Sequence, residues 1–159
     1  MNPVGNVASA IGKGLVAGFV GTAAMTISST LEARLRGRAP SSAPARATAK
    51  MLGISEFEDA RARARFNDLS HWGYGTSWGA LRGLLAAAGL PPRRATAAHG
   101  AAIYGAAQVT LPALEIAPPV VFWPKEEIAI DAFHHLVYAT AAGLAYELID
   151  GRRNGASSA

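Results

Sequence analysis

Gly14 to Leu31, GLVAGFVGTAAMTISSTL, runs for eighteen residues without a charged side chain. Helical runs of that length are long enough to cross a hydrocarbon core about 30 Å thick. Ala95 to Leu114 repeats the feature, interrupted by His99. A soluble bundle helix needs a polar face, and in both runs Ala, Gly and Thr stand where Lys and Glu would have to be. The sequence therefore predicts an all-α integral membrane protein, with residues 1–159 forming a single membrane domain. Lys13 precedes an apolar run longer than the core of a signal peptide, which favours an uncleaved first span.

Four spans follow, at about 11–32, 70–90, 95–115 and 127–149, making a four-helix transmembrane bundle. Pro91 and Pro92, and then Pro118, Pro119 and Pro124, mark the turns flanking the third. The loop at 33–69 holds Arg34, Arg36, Arg38, Arg46, Lys50, Arg61, Arg63 and Arg65, whereas the next loop has Arg93 and Arg94 and the tail Arg152 and Arg153. By the positive-inside rule this first loop is cytoplasmic and both termini are external. Trp72, Tyr74, Phe122 and Trp123 cluster at span ends on the same side, where an aromatic belt anchors spans.

Within the loop, Ser55 and Glu58 make a capping-box pattern, with acids at Glu56, Glu58 and Asp59 followed by Arg61, Arg63 and Arg65. The pattern predicts a short amphipathic interfacial helix over about 56–68, its three arginines facing anionic lipid headgroups or simply solvent. Residues 43–49 read as a linker or a second short helix. The basic residues lack interleaved aromatics, so nucleic acid is not an expected partner. Cysteine is absent, which excludes disulfides and thiolate chemistry.

Helical spacing adds more. Gly14, Gly18, Gly21, Met25, Ser28 and Glu32 share one ridge of the first span, and His71, Gly75, Trp78 and Arg82 one face of the second, with Gly79 and Gly83 beside it. Small-residue ridges let backbones approach closely, and close packing is the main attraction between helices in lipid. On the fourth span Glu127, Asp131, His134 and Tyr138 form a narrow stripe with His135 at its edge, opposite Ala129, Phe133, Leu136 and Val137. Ionisable groups facing hydrocarbon cost at least about 2–3 kcal/mol each, so the stripe must face the bundle interior or water. Counting depth from His71 and Glu127 sets His71 level with Glu127 and Asp131, and places Arg82 level with Tyr138 and within reach of His134.

The segments GTAAMT with its following glutamate, HWGYGTSWGALRGLL and DAFHHLVYATAAG together resemble a group of small bacterial multi-pass membrane proteins of unknown function. The resemblance covers nearly the whole chain and implies the four-helix membrane fold, but no reaction, ligand or site.

Three functions fit these residues. In the first, the stripe with Arg82, Glu127 and Tyr138 is a structural polar network, and the protein is a scaffold or accessory subunit touching other membrane subunits or its own copies. In the second, Glu32, His71, Asp131, His134 and His135 hold a transition metal such as zinc, since Asp and His four apart project to one face. In the third, they line a proton or small-solute path. Haem is disfavoured because His99 and His71 do not match His134 in depth. No nucleophile elbow, HExxH motif or phosphate-cradling glycine loop is present, which weighs against an enzyme.

Overall fold

A computed structural model describes residues 2–39 and 41–156, with side chains as far as Gly151. The side chains of Arg152 and Arg153, counted above, lie outside the described residues. Within these limits the chain is all-helical and contains no strand. The order is α1 (Pro3–Leu35), α2 (Ala43–Met51), α3 (Ala60–Ala87), α4 (Pro92–Ala113), a short 3-10 turn at Val120–Phe122, and α5 (Lys125–Ala156). Two of them, α1 and α5, are long and apolar enough to cross a membrane.

The helix ends follow from local chemistry. Asn2 caps α1 by accepting from the Val4 N–H at 3.1 Å, and Pro3 occupies the first turn. At the other end Gly37 takes φ +63° while the Arg38 N–H donates to the Ala33 carbonyl at 2.9 Å, a Schellman stop. The helix at 56–68 is not a separate element. Asp59, not Ser55, is the cap, accepting from the Ala62 N–H at 2.6 Å, and the helix then continues unbroken to Ala87. Phe57 packs on Phe66 with ring centroids 5.2 Å apart, which turns the incoming chain onto α3. Arg61, Arg63 and Arg65 are exposed in the first turns of that long helix, and the Arg63 guanidinium lies 5.8 Å from the Phe57 ring. Of the two readings for 43–49, the short helix is the one formed.

α1 is the centre of the assembly. α3 runs antiparallel along one side, from Ala10 against Gly83 to Thr26 against His71. α5 runs antiparallel along the other, from Lys13 against Asp150 to Arg36 against Glu127. α4 leans on α5, from Thr96 at Gly143 to Gln108 at Asp131. The α1–α3 crossing is backbone on backbone: a Cβ on Gly18 would stand 2.5 Å from the Thr76 carbonyl oxygen and 2.8 Å from the Gly79 Cα. Gly14 and Gly18 of the first ridge therefore face Gly79 and Gly83, because only residues lacking a side chain let the two helices approach so far, whereas Gly21 meets Tyr138 and Ala142 of α5.

The interior holds mostly small or polar residues, and many large apolar side chains of α1, α4 and α5 face outward. The buried set comprises Ala10, Ala17, Ala33, Ala45, Ala95, Ala139 and Ala142 with Ile103, Tyr138 and Tyr146, joined by Thr22, Ser70, Arg82, His99 and His134. Leu15, Val16, Phe19, Val20, Ile27, Leu31, Val109, Phe133, Leu136, Leu144 and Leu148 are all exposed. Such an apolar outer face is larger than a chain packed in water usually leaves exposed.

Candidate functional site

The polar groups fall into three sets, strung along the interior face of α5 and sorted by which helix each side chain meets. At the start of α5 they meet the end of α1. Arg36 bonds Glu127 at 2.5 Å and Glu32 at 3.1 Å, and Arg38 pairs with Glu32 as well. Arg36 follows the last residue of α1, and Glu127 first, then Glu32, raise its pKa by hydrogen bonding. One turn into the interior, His134 Nδ1 meets Ser28 Oγ at 2.9 Å, while its Nε2 stands 3.7 Å from Glu32 and has no hydrogen-bond partner among the described residues.

The second set faces α4. Gln108 Nε2 donates to Asp131 at 3.0 Å. His135 Nδ1 donates back to the Asp131 backbone carbonyl at 2.8 Å, with its ring 5.4 Å from that of Tyr104. In the middle, Tyr138 donates through its hydroxyl to the Gly75 carbonyl at 2.5 Å and lies 5.7 Å, ring to ring, from fully buried His99. His99 Nε2 donates to the Trp78 carbonyl at 2.9 Å.

The third set closes the end of the bundle that holds both termini. Arg82 is 1 % exposed, its Cζ 4.5 Å over the Tyr146 ring and its Nη2 3.5 Å from Glu147. Lys13 and Asp150 pair beside it at 2.6 Å.

The five residues grouped above as metal ligands are thus divided among three faces. Glu32 and His134 come together between α1 and α5, and Asp131 and His135 lie toward α4. His71 is on the far side of α1, where its Nε2 donates to Thr26 Oγ1 at 2.7 Å. Among the described residues no three His, Asp or Glu side chains are arranged to hold one ion. The division has a geometric cause: Asp131 and His134 differ by three residues, or about 60° around the helix, which suffices to aim one at α4 and the other at α1.

The depth estimate for Arg82 is corrected as well. Arg82 meets Tyr146 and Glu147, not Tyr138 or His134. The contacts Gly75 to Tyr138 and Arg82 to Glu147 set α3 against α5 about two turns away from the register obtained by counting from His71 and Glu127. His71 is consequently near the level of His134, since their partners Thr26 and Ser28 are two residues apart, yet the two rings sit on different sides of α1. Spacing alone did not single out Thr26, Gln108, Tyr146 or Glu147 as partners. Gln108 carried a usable signal, being a lone amide within the second uncharged run.

No protein-family model matches this chain, and neither the curated proteins nor the solved structures contain a significant match to it.

Proposed function

We propose that this chain is a four-span protein of a bacterial inner membrane and that it serves as a scaffold or accessory subunit, held in lipid and bound to other membrane subunits or to copies of itself. The inverted distribution of side chains carries the reading. Phe19 is 53 % exposed and Ile27 70 %, whereas Arg82 and His99 are at 1 % and 0 %. In water an apolar coat on that scale is an aggregation surface, while in a bilayer it is solvated and the polar interior supplies the cohesion. α3 and α4 belong in the same slab in this reading, since His71, Gly75, Gly79 and Gly83 of α3 pack against α1, and His99 and Gly100 of α4 pack against α5. The basic excess on the 33–69 connection argues for that side being cytoplasmic. Reporter fusions are then expected to place Lys50 inside and the C-terminus outside. A C-terminal reporter active only in the cytoplasm would reverse the orientation.

A scaffold role is favoured because most of these polar groups meet one another, Asp131 with Gln108, His71 with Thr26, Tyr138 with Gly75 and Glu32 with two arginines, while His134 Nε2 is left without a partner among the described residues. Such contacts are worth about 0.6 kcal/mol each in lipid, enough together to hold helix register. Asp131→Asn, which keeps an acceptor for Gln108, is accordingly expected to change thermal stability in detergent by no more than about 1 kcal/mol. Loss of a co-purifying metal on the same substitution would replace the structural role with a ligand role. Native mass measurement after extraction in mild detergent tests the assembly directly. The expected species is a complex of fixed stoichiometry, and a protein found only as a monomer would overturn the scaffold reading.

A further inference from the structure

A guanidinium withdrawn from solvent needs an anion, and Arg82 has only part of one. Among the described residues its Nε and Nη1 are buried with no hydrogen-bond partner. Its single carboxylate contact, Glu147, stands at 3.5 Å, the outer limit of a hydrogen bond, on a side chain that is 42 % exposed. The neighbouring acid Asp150 is committed to Lys13 at 2.6 Å. The Tyr146 ring under Cζ satisfies one face of the cation, but offers nothing to the N–H groups at its rim. Two donor nitrogens with three unmet N–H groups between them are costly on a buried cation, and proteins rarely leave such groups without a partner.

A cavity of about 360 Å³ lies beside this group, lined by Arg82, Tyr146, Glu147 and Asp150 on one wall and by Ala86, Leu90 and Pro92 on another. The first wall is charged and the second apolar. Pro92 also begins α4, whose N-terminus no side chain caps, so the positive end of that helix dipole adds to the guanidinium at the edge of the cavity. The cavity is at the end of the bundle, where α3 stops and α4 starts, and in the membrane reading proposed above this is the headgroup level.

The geometry points to this cavity as a binding site for a phospholipid of the phosphoethanolamine type. Arg82 takes the phosphodiester, Glu147 takes the amine, and Ala86, Leu90 and Pro92 receive the glycerol and the first methylenes. The planar guanidinium suits a phosphate, since its parallel N–H groups match two of the anion's oxygens. The carboxylate at the rim is what makes an amine-bearing headgroup preferable to a purely anionic one. The inference rests on the membrane reading for the source of the ligand, but not for the phosphate chemistry of the site.

The test uses the full chain purified in detergent, with its melting temperature followed as dioleoyl phosphatidylethanolamine, dioleoyl phosphatidylglycerol or water-soluble glycerophosphoethanolamine is added. Phosphatidylethanolamine is expected to raise the melting temperature saturably, and phosphatidylglycerol to do so at higher concentrations. Ala86→Phe, one helical turn from Arg82, fills the apolar wall while leaving the Arg82 charge in place, and is expected to raise the half-saturating lipid concentration at least about tenfold. Glu147→Gln should erase the preference for the amine-bearing lipid. Arg82→Lys, which retains the charge but not the fork, should weaken both lipids, and the first two variants decide the matter if this one does not fold. No response to any of the three compounds would overturn the site, as would a response that persists unchanged in Ala86→Phe. An equal response to phosphatidylglycerol would overturn the role of Glu147, and one to glycerophosphoethanolamine as strong as to the lipid would assign the site to a free phosphoester. Failure of the membrane reading shows independently, as protein that stays in solution without detergent.

Discussion

Gly79→Leu is expected to be the most damaging single substitution among the described glycines, lowering stability in detergent by about 3 kcal/mol or preventing folding altogether. A Cβ at this position would collide with the Gly14 carbonyl oxygen and stand 2.6 Å from the Gly18 Cα, and both are backbone atoms of a helix gripped on its other side by α5. Backbone cannot step aside as a side chain end can, so the helices must separate, and with them go the Thr22 contact at Gly75 and the His71 bond to Thr26. Gly12→Leu and Gly105→Leu are the matched controls. Each glycine is exposed with no atom within 4 Å of an added Cβ, and leucine is the better helix former by roughly 0.8 kcal/mol. Thermal melts of the three variants in one detergent settle the point, and equal tolerance at all three would mean that α1 and α3 do not cross there.

The second large effect is expected at Tyr138. Its ring is 2 % exposed and packs with Ile103, Ala142, Met25 and Trp78, and against His99. Tyr138→Ala would open a cavity where α1, α3, α4 and α5 converge, costing about 3 kcal/mol or more, because the lost dispersion contacts are not returned by lipid that cannot enter. Tyr138→Phe keeps the ring and removes only the bond to the Gly75 carbonyl, for which about 0.6 kcal/mol, and at most about 1.7, is expected. The ratio of the two losses reports whether packing or polar contact dominates this interior. Similar values for both would make the hydroxyl, rather than the ring, the main contribution.

Both effects depend on features of different visibility in the sequence. The glycine ridges were legible because helical periodicity is local: Gly14 and Gly18 share a face of α1, and Gly79 and Gly83 a face of α3, whatever else the chain does. The outward face was legible for the same reason, and Phe133 and Leu136 are exposed as their spacing predicted. Spacing put Asp131, His134 and Tyr138 on one side of α5, but it did not give their partners. Angular position says that Asp131, His134 and Tyr138 are near one another around the axis, but it does not say which neighbouring helix passes each of them.

That assignment required the offset between helices. Counting depth from apparent span ends assumed that the second span began near His71, whereas α3 starts at Ala60 and its register is set by the glycine crossing with α1. The shift of about two turns moved Arg82 from Tyr138 to Tyr146 and Glu147, and brought His71 to the depth of His134 on the opposite side of α1. The same limit explains why five ionisable residues that read as one cluster are distributed over three faces. By itself the sequence determined the helical class, the long apolar run of α1 and the glycines of the α1–α3 crossing, all of which depend on residues within a few turns of one another. Only the tertiary structure decided the helix register, the pairing of each polar group and the cavity at Arg82, because these arise where residues some sixty positions apart meet and no local pattern encodes the offset between them.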